Sequence, residues 1–109
     1  YVDEELKLFG LAGSNMLAVW QGMGFDIMGE GFADRTYEYN GTLRSRKFDN
    51  ALITDPGIAA AQAESMARNE NFTAVDGTAL NIAVQTICVH SDTPNAVEIT
   101  RAVYAALQP

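Results

Sequence analysis

The sequence predicts an α/β domain built on a mostly parallel sheet. Strand-like apolar runs alternate with helix-like segments along the 109 residues, and this alternation favours parallel strands joined by helical crossovers. Two of the helices are introduced by a capping residue followed by proline, at Asp55-Pro56 and Thr93-Pro94. Apolar residues make up 48% of the chain, a proportion that indicates one packed domain rather than a disordered segment.

Short apolar runs predict four strands, over residues 6–9, 25–33, 72–75 and 84–89. The last run is nearly continuous and rich in β-formers, as expected for a strand covered on both faces. Gly29 and Gly31 lie inside the second run, and glycines within a strand often mark a bulge or a close backbone approach. Between the second and third runs, residues 37–43 are expected to form a small hairpin, because Asn40-Gly41 supplies the positive φ angles of a tight turn.

Three helices are predicted to follow the capping residues Ser14, Asp55 and Thr93. The glycine-containing turn before Ser14 has neither the lysine nor the spacing of a phosphate-binding loop, so we interpret it as a plain turn with a helix cap. Gly22 and Gly24 are expected to end the first helix. The inner faces of the second and third helices are predicted to contain Ala59, Ala63 and Met66, and Ile99, Val103, Ala106 and Leu107.

The predicted sheet is thin for an independent domain. Three or four parallel strands leave two open edges, and an open strand edge normally has to be covered. We therefore expect either that a longer chain supplies more strands or that a partner covers the edges. The first residue is Tyr1 rather than Met, so we expect the natural start to lie upstream.

The charge balance excludes two classes of partner. The formal net charge is −7, from 14 acidic and 7 basic residues. Non-specific nucleic-acid binding needs clustered Lys and Arg, and docking on an anionic membrane surface needs the same. No apolar run approaches the roughly 20 residues that a membrane-spanning helix requires. We therefore expect neither nucleic acid nor membrane as a partner.

Cysteine and histidine each occur once. With Cys88 alone, no internal disulfide can form, and we expect a buried, inert thiol in a reducing compartment, the cytoplasm. With His90 alone, a metal site with several histidines cannot be built within this chain.

The first candidate site cluster, Glu30, Asp34 and Arg35, lies where the second predicted strand ends. Ligand sites form at the carboxyl ends of parallel strands. A structural interpretation makes Asp34 and Arg35 a salt bridge at the rim of the sheet. A functional interpretation has Arg35 bind a carboxylate or phosphate through two hydrogen bonds, while a paired acid orients it or moves a proton.

The second cluster, His90 and Asp92, ends the last predicted strand in the same way. His90 could be a buried histidine hydrogen-bonded to the backbone, a general base with a pKa near neutrality, or one ligand of a metal whose other ligands lie elsewhere. Spacing alone assigns no reaction to either cluster.

Three sequence blocks, in this order, resemble the C-terminal part of the LamB/YcsF family of lactam-utilisation proteins. They are Gly-Leu-Ala-Gly-Ser at 10–14, Glu-Gly-Phe-Ala-Asp-Arg-Thr-Tyr at 30–37 and Gln-Thr-Ile-Cys-Val-His-Ser-Asp at 85–92. Between the last two, Gly-Thr-Leu at 41–43, Arg46 and Ala-Leu-Ile at 51–53 also fit the family. The resemblance extends over about residues 8–107. Either of the last two blocks alone would be weak, but their combination at this separation is fairly specific.

The resemblance implies a fold and an activity. The fold would be the C-terminal β/α units of a distorted seven-stranded (β/α) barrel, with residues 1–109 a single segment of that larger domain. The activity would be that of a 5-oxoprolinase, which opens the lactam ring of 5-oxoproline to give glutamate with hydrolysis of ATP as co-substrate, in a complex with B and C subunits. The isolated segment is expected to be inactive.

The resemblance also implies roles for particular residues. Positions that match the family and would serve in catalysis are His90, Asp34 and Asp92, and those that would bind substrate or phosphate are Arg35, Arg46 and Glu30. Departures from the family pattern occur at Arg44-Ser45, Asn50 and Ser91, where the family has Val-Pro, Gly and Gly. These changes affect loop shape and remove none of the charged groups.

Two other functions stay open at this point. The segment could be a docking or scaffold piece for the other chains of a complex, with no chemistry of its own. Alternatively, the fold could support metal-assisted hydrolysis of a carbohydrate amide, by analogy with deacetylase barrels, although analogy of fold is a weak argument for function.

Overall fold

The structure, a computed structural model, describes residues 7–24, 26–90 and 93–108. Strands and helices alternate along the chain as the sequence predicts. The strands are β1 (Lys7–Leu11), β2 (Asp26–Phe32), β3 (Phe72–Thr73), β4 (Ala79–Leu80) and β5 (Thr86–Cys88). The helices are α1 (Asn15–Gly22), α2 (Pro56–Ala67) and α3 (Ala96–Ala106).

The main sheet of the described chain is parallel and has the strand order β1-β2-β5. β2 lies in the centre, with Gly10 of β1 opposite Gly29 on one side and Ile87 of β5 opposite Gly31 on the other. All three strands therefore end at the same edge of the sheet. The prediction of an α/β fold with a mostly parallel sheet is confirmed.

The glycines of β2 allow close packing rather than a bulge. The pairing register runs without interruption through Gly29 and Gly31. A Cβ atom on Gly29 would lie 3.0 Å from the side-chain oxygen of Gln85, and a Cβ atom on Gly31 would lie 2.8 Å from the sulfur of Met66. Of the two sequence interpretations, a close approach is correct, because neighbouring groups occupy the space that a side chain would need.

Two of the three predicted helix caps are confirmed. The Ser14 hydroxyl accepts a hydrogen bond from the amide of Leu17 at 3.3 Å, and a carboxylate oxygen of Asp55 accepts one from the amide of Ile58 at 3.1 Å. These bonds satisfy amides that have no partner within the first turn of a helix.

The third predicted cap, Thr93-Pro94, is wrong. α3 begins later, after Asn95, which has a φ of 64° and makes no side-chain capping bond. The hydroxyl of Thr93 donates to Asp34 instead. Leaving a buried carboxylate short of hydrogen-bond donors costs more free energy than leaving a helix end uncapped. This explains why the Thr93 hydroxyl binds Asp34 and not the helix end.

The third predicted strand belongs to a separate hairpin. Phe72–Thr73 pairs antiparallel with Ala79–Leu80, and the connecting turn contains Gly77 at a φ of 93°. The predicted strand at 72–75 is thus only partly correct, and its partner strand is not among the predicted elements. The signal is present in the sequence, because Asp76-Gly77 is a common hairpin turn.

The last predicted strand is shorter and less covered than its composition indicates. β5 contains only Thr86–Cys88, and all three residues are half-buried. In the described part of the chain β5 pairs with β2 alone, so one of its sides has no strand neighbour there. For the same reason Cys88 is half-buried rather than fully buried as expected.

Two apolar clusters form the core. The larger one lies between α2, α3 and the end of β2, and contains Ala33, Ile53, Ala59, Ala63, Ile99 and Val103. The smaller one contains Tyr37, Met66 and Phe72. The predicted inner faces of α2 and α3 are confirmed at these positions, but Leu107 is 38% exposed because it lies beyond the end of α3.

Tyr37 connects the smaller cluster to the end of β2. Its ring meets Phe72 edge to face, with centroids 5.1 Å apart, and its hydroxyl oxygen accepts a hydrogen bond from the amide of Phe32 at 3.0 Å. Burial raises the pKa of Tyr37 to about 12.

The predicted hairpin begins at Tyr37, which forms an antiparallel bridge with Leu43. Of the two turn residues Asn40 and Gly41, only Gly41 has a positive φ.

Replacing Gly31 with alanine should destabilise the fold. Its Cβ atom would press on Met66 and on Val84, 2.8 and 3.0 Å away, and overpacking of this kind costs about 1–3 kcal/mol. Gly22→Ala is the matched control, since no atom lies within 4 Å of the added Cβ atom. Urea unfolding of the two variants should show a loss of stability only for Gly31→Ala, and an equal effect would contradict the packing argument.

Alkaline unfolding should depend on Tyr37. The pKa of Tyr37 is about 12 in the folded chain and about 10 in the unfolded chain. This difference stabilises the fold by roughly 2–3 kcal/mol below pH 10, and the contribution is lost as the pH rises from about 10 to about 12. Tyr37→Phe should therefore flatten the alkaline fall in the free energy of unfolding. Tyr39→Phe is the control, because Tyr39 is 67% exposed and its replacement should leave the profile unchanged.

Candidate functional site

Asp34 and His90, one residue from each of the two polar clusters found in the sequence, meet at the carboxyl edge of the sheet. Asp34 lies two residues beyond the end of β2, and His90 lies two residues beyond the end of β5. The amide of Ala33 donates to the carbonyl of Cys88 at 3.1 Å and so continues the pairing between the two strands. Parallel neighbouring strands thus bring residues 56 positions apart into contact.

The carboxylate of Asp34 is the centre of the site. It is fully buried and accepts hydrogen bonds from two other residues. One oxygen, Oδ2, accepts from the amide of His90 at 2.8 Å and from the hydroxyl of Thr93 at 2.7 Å. The other, Oδ1, lies 3.1 Å from Nδ1 of the His90 ring. These partners replace the water that a carboxylate loses on burial.

The bonds keep the carboxylate ionised. Burial alone would raise the pKa of Asp34, but the hydrogen bonds from the Thr93 hydroxyl, the amide of His90 and the His90 ring outweigh it, so the pKa is lowered. A buried negative charge therefore faces the imidazole of His90.

His90 is held in one orientation. Its ring stacks on that of Phe32, with centroids 5.3 Å apart and an angle of 9° between the planes. An ionised carboxylate only accepts hydrogen bonds, so Nδ1, which faces Asp34, carries the proton. In the neutral ring Nε2 is then the unprotonated nitrogen, and the side chain is 28% exposed. This arrangement can accept a proton at Nε2 and return it.

Arg35 points away from Asp34. Its guanidinium is almost fully buried and donates to the carbonyl of Arg44 at 2.7 Å. Among the described residues no carboxylate forms a salt bridge with it, so the rim salt bridge considered from the sequence is not found there. The buried Nε atom of Arg35 has no hydrogen-bond partner in the described structure.

Gln62 supports the site, although no sequence pattern identifies it. From α2, its side-chain amide donates to the carbonyl of Phe32 at 2.9 Å and to the carbonyl of Arg35 at 2.8 Å. The two carbonyls flank Asp34, so a single side chain fixes the backbone on both sides of the carboxylate. A glutamine in an alanine-rich helix gives no sequence signal for this role.

The other predicted site residues lie around this centre. Glu30 is half-buried within β2. Burial, followed by the negative charges of Glu30 and Asp34, raises the pKa of the Cys88 thiol. Arg46 is exposed on the loop that follows the hairpin. Asp92 lies outside the described residues. The structure thus brings Asp34 and His90 into direct contact, with Arg35 next in the chain.

A separate cleft opens beside the end of β1. Its volume is about 540 Å³, and it is lined by residues 11–14, 39–42 and 79–82. None of the predicted site residues lines it. Its polar side chains are used locally: Ser14 caps α1, Asn40 accepts from Thr42, and Asn81 donates to Asn71.

The described residues lack two further features. They contain no group of three or more His, Cys, Asp or Glu side chains that could hold a metal ion. Within the same residues, no helix has the length and apolar character needed to cross a membrane.

Comparison with known proteins gives a consistent family. The A subunit of 5-oxoprolinase from Chloroflexus aurantiacus is 47% identical over 94 residues, which cover 86% of this chain and 37% of that protein. The A subunit of 5-oxoprolinase from Mycobacterium leprae is 41% identical over 102 residues, covering 94% of this chain and 40% of that protein. The chain thus spans about two fifths of the length of these curated relatives.

A solved structure agrees with the sequence comparisons. The crystal structure of a lactam utilization protein from Thermus thermophilus matches with a TM-score of 0.85 and 34% identity, covering 96% of this chain and 41% of that chain. The model of the LamB/YcsF family matches residues 1–109. This chain therefore belongs to the LamB/YcsF family.

Proposed function

We propose that this chain contributes the Asp34–His90 part of the active site of a 5-oxoprolinase, a hydrolase that opens a cyclic amide. The observation that carries the proposal is the buried, ionised carboxylate of Asp34 against Nδ1 of His90. Relatives named as the A subunit of 5-oxoprolinase support the choice of reaction. The overall reaction would convert 5-oxo-L-proline, ATP and water into L-glutamate, ADP and phosphate.

The reaction has to overcome the stability of an amide. The ring nitrogen donates electrons into the carbonyl, so water attacks slowly. Transfer of the terminal phosphoryl group of ATP to the carbonyl oxygen, with release of ADP, would make the carbonyl carbon more electrophilic. Attack by one water and cleavage of the C–N bond would then leave an acyl phosphate, and a second water would hydrolyse it to glutamate and phosphate. The protein then has to bind an anionic substrate, stabilise the charge of the phosphoryl group and direct a water molecule.

In this proposal His90 transfers protons. With Nδ1 occupied by Asp34, Nε2 takes a proton from the attacking water and later delivers one to the ring nitrogen as the C–N bond breaks. Asp34 stays ionised and stabilises the imidazolium that forms, the role of the buried acid in Ser-His-Asp triads. Because Asp34 is fully buried, we propose that it positions His90 rather than touching substrate.

Binding of the anionic groups is proposed for the basic residues near the site. Arg35 is a candidate because a guanidinium matches a carboxylate or phosphate in shape and because its Nε atom has no partner among the described residues. Since Arg35 is almost fully buried here, this role requires its guanidinium to become accessible in the complete enzyme. Arg46 would be a second binding residue, with Glu30 or Asp92 orienting the arginines, and Asp92 would also serve in catalysis.

The rest of the enzyme would come from outside these residues. We propose that residues 1–109 form a single segment of a larger, distorted seven-stranded barrel, and that the active complex contains B and C subunits. The sheet described here, with three parallel strands, agrees with a piece of such a barrel. The segment alone should therefore show no turnover.

A docking or scaffold role is the competing function. It predicts that residues of the site can be changed without loss of turnover, provided that assembly is kept. The activity measurements below separate the two, because assembly of the complex and turnover are measured on the same variants.

His90→Ala in the full-length enzyme, assembled with its B and C subunits, should lower kcat by about a hundred- to ten-thousand-fold, the usual contribution of a general acid or base. Asp34→Asn should also lower kcat, since an amide donor facing Nδ1 favours the tautomer with its proton on Nε2. Arg68→Ala is the control, because its ion pair with Glu64 lies on the outside of α2. Normal turnover in the first two variants, with assembly intact, would leave only the scaffold role.

The fall in the free energy of unfolding at acid pH should depend on Asp34. A pKa lowered in the folded state stabilises the fold above the unfolded-state pKa of about 4, and this contribution is lost as pH falls through the folded-state pKa. Asp34→Asn should therefore be less stable than the original chain at neutral pH. The difference in the free energy of unfolding between the two should shrink as the pH is lowered. Asp49→Asn, an exposed position, should match the original chain at neutral pH, and urea unfolding at several pH values measures both.

A further inference from the structure

Thr93 is placed to act on Asp34 rather than on a helix. The residue is buried, and its hydroxyl lies 2.7 Å from Oδ2 of Asp34. Its backbone forms the turn between β5 and α3, with its carbonyl accepting from the amide of Ala96 at 3.0 Å. α3 meanwhile begins after Asn95 without a side-chain cap.

The hydroxyl restricts the rotation of the carboxylate. Oδ2 accepts from two donors that belong to different residues, the His90 amide and the Thr93 hydroxyl. The Thr93 hydroxyl is the donor that comes from outside His90, and it adds a further restraint on rotation about the Cβ–Cγ bond to those that the His90 amide and ring supply. Nδ1 of His90 lies 3.1 Å from Oδ1 and 3.3 Å from Oδ2, so the ring faces both oxygens and is slightly closer to Oδ1.

We propose that Thr93 is a positioning residue for the candidate site: its hydroxyl fixes the Asp34 carboxylate so that the His90 ring keeps its proton on Nδ1 and leaves Nε2 as the acceptor. The inference rests on the proposed function only in assuming that Nε2 transfers protons during the reaction; the position of the proton on the ring does not depend on that function. The electrostatics agree: against burial, which raises the pKa of Asp34, the hydrogen bond from the Thr93 hydroxyl is the largest single interaction that lowers it.

Replacing the hydroxyl tests the idea. Thr93→Val keeps the size and branching of the side chain but cannot donate, and Thr93→Ser keeps the hydroxyl. Thr100→Val is the matched control, because the Thr100 hydroxyl donates to the carbonyl of Ala96 within α3 and not to Asp34. The variants are made in the full-length enzyme labelled with ¹⁵N-histidine, and the ring signals of His90 are those that a His90→Gln sample lacks.

In alkaline buffer, where the ring is neutral, His90 of the original chain should show two well-separated ¹⁵N signals, with the protonated nitrogen assigned to Nδ1. The same pattern is expected for Thr93→Ser and Thr100→Val. In Thr93→Val the two signals should move towards each other, because a carboxylate held by His90 alone keeps a less constant contact with Nδ1 and so favours that tautomer less strongly. Amide spectra of each variant report whether it is folded.

Three results would overturn the proposal. The first is a folded Thr93→Val variant with the original signal separation. The second is a ring that carries its proton on Nε2 in the unaltered chain. The third is loss of folding in both Thr93→Val and Thr93→Ala while Thr93→Ser folds, which would make the hydroxyl structural. None of these depends on turnover, so failure here and failure of the proposed reaction are distinguishable.

Discussion

A single buried carboxylate organises the carboxyl edge of this sheet. Asp34 has no contact with solvent, yet its pKa is lowered, so the fold has to keep a charge inside. An isolated buried charge is costly, and it is tolerated here because an amide, a hydroxyl and an imidazole are directed at its two oxygens. These donors belong to His90 and Thr93, which lie between β5 and α3.

The backbone around the carboxylate is fixed by side chains from other elements. Gln62 of α2 donates to the carbonyls of Phe32 and Arg35, and the Tyr37 hydroxyl accepts from the Phe32 amide. Arg35 extends from the same turn to the carbonyl of Arg44. A group that must hold an imidazole in one orientation benefits from this rigidity, because small displacements of a catalytic group cost rate.

Much of this could be predicted from the sequence, and the exceptions have physical causes. The alternation of strands and helices, the caps Ser14 and Asp55 and the inner faces of α2 and α3 depend on neighbouring residues, which local patterns describe well. The length of β5 could not be predicted in this way, because the exposure of its edge depends on which strands lie beside it. The same is true of Cys88, whose burial is less than its apolar neighbours in the sequence indicate.

The sequence pointed to Asp34 and His90 as candidate residues but not to their pairing. Asp34 and Arg35 are adjacent in the chain, which favours an ion pair between them, whereas the carboxylate contacts His90 and Thr93, 56 and 59 positions away. The sequence misassigns Thr93 because threonine before proline is a common helix start, and only the position of β5 beside β2 brings its hydroxyl to Asp34. Gln62 likewise gains its role from the packing of α2 on the end of β2.

The long sequence separation within this site has a consequence for biosynthesis. While the ribosome has made this chain only as far as β4, Asp34 has no donors from the segment after β5, and burying it would leave an unpartnered charge. The nascent chain should therefore keep this loop hydrated until residues 90–93 emerge. Closure of the sheet's edge would then be timed by the arrival of β5, which protects the early product from compact but wrong arrangements.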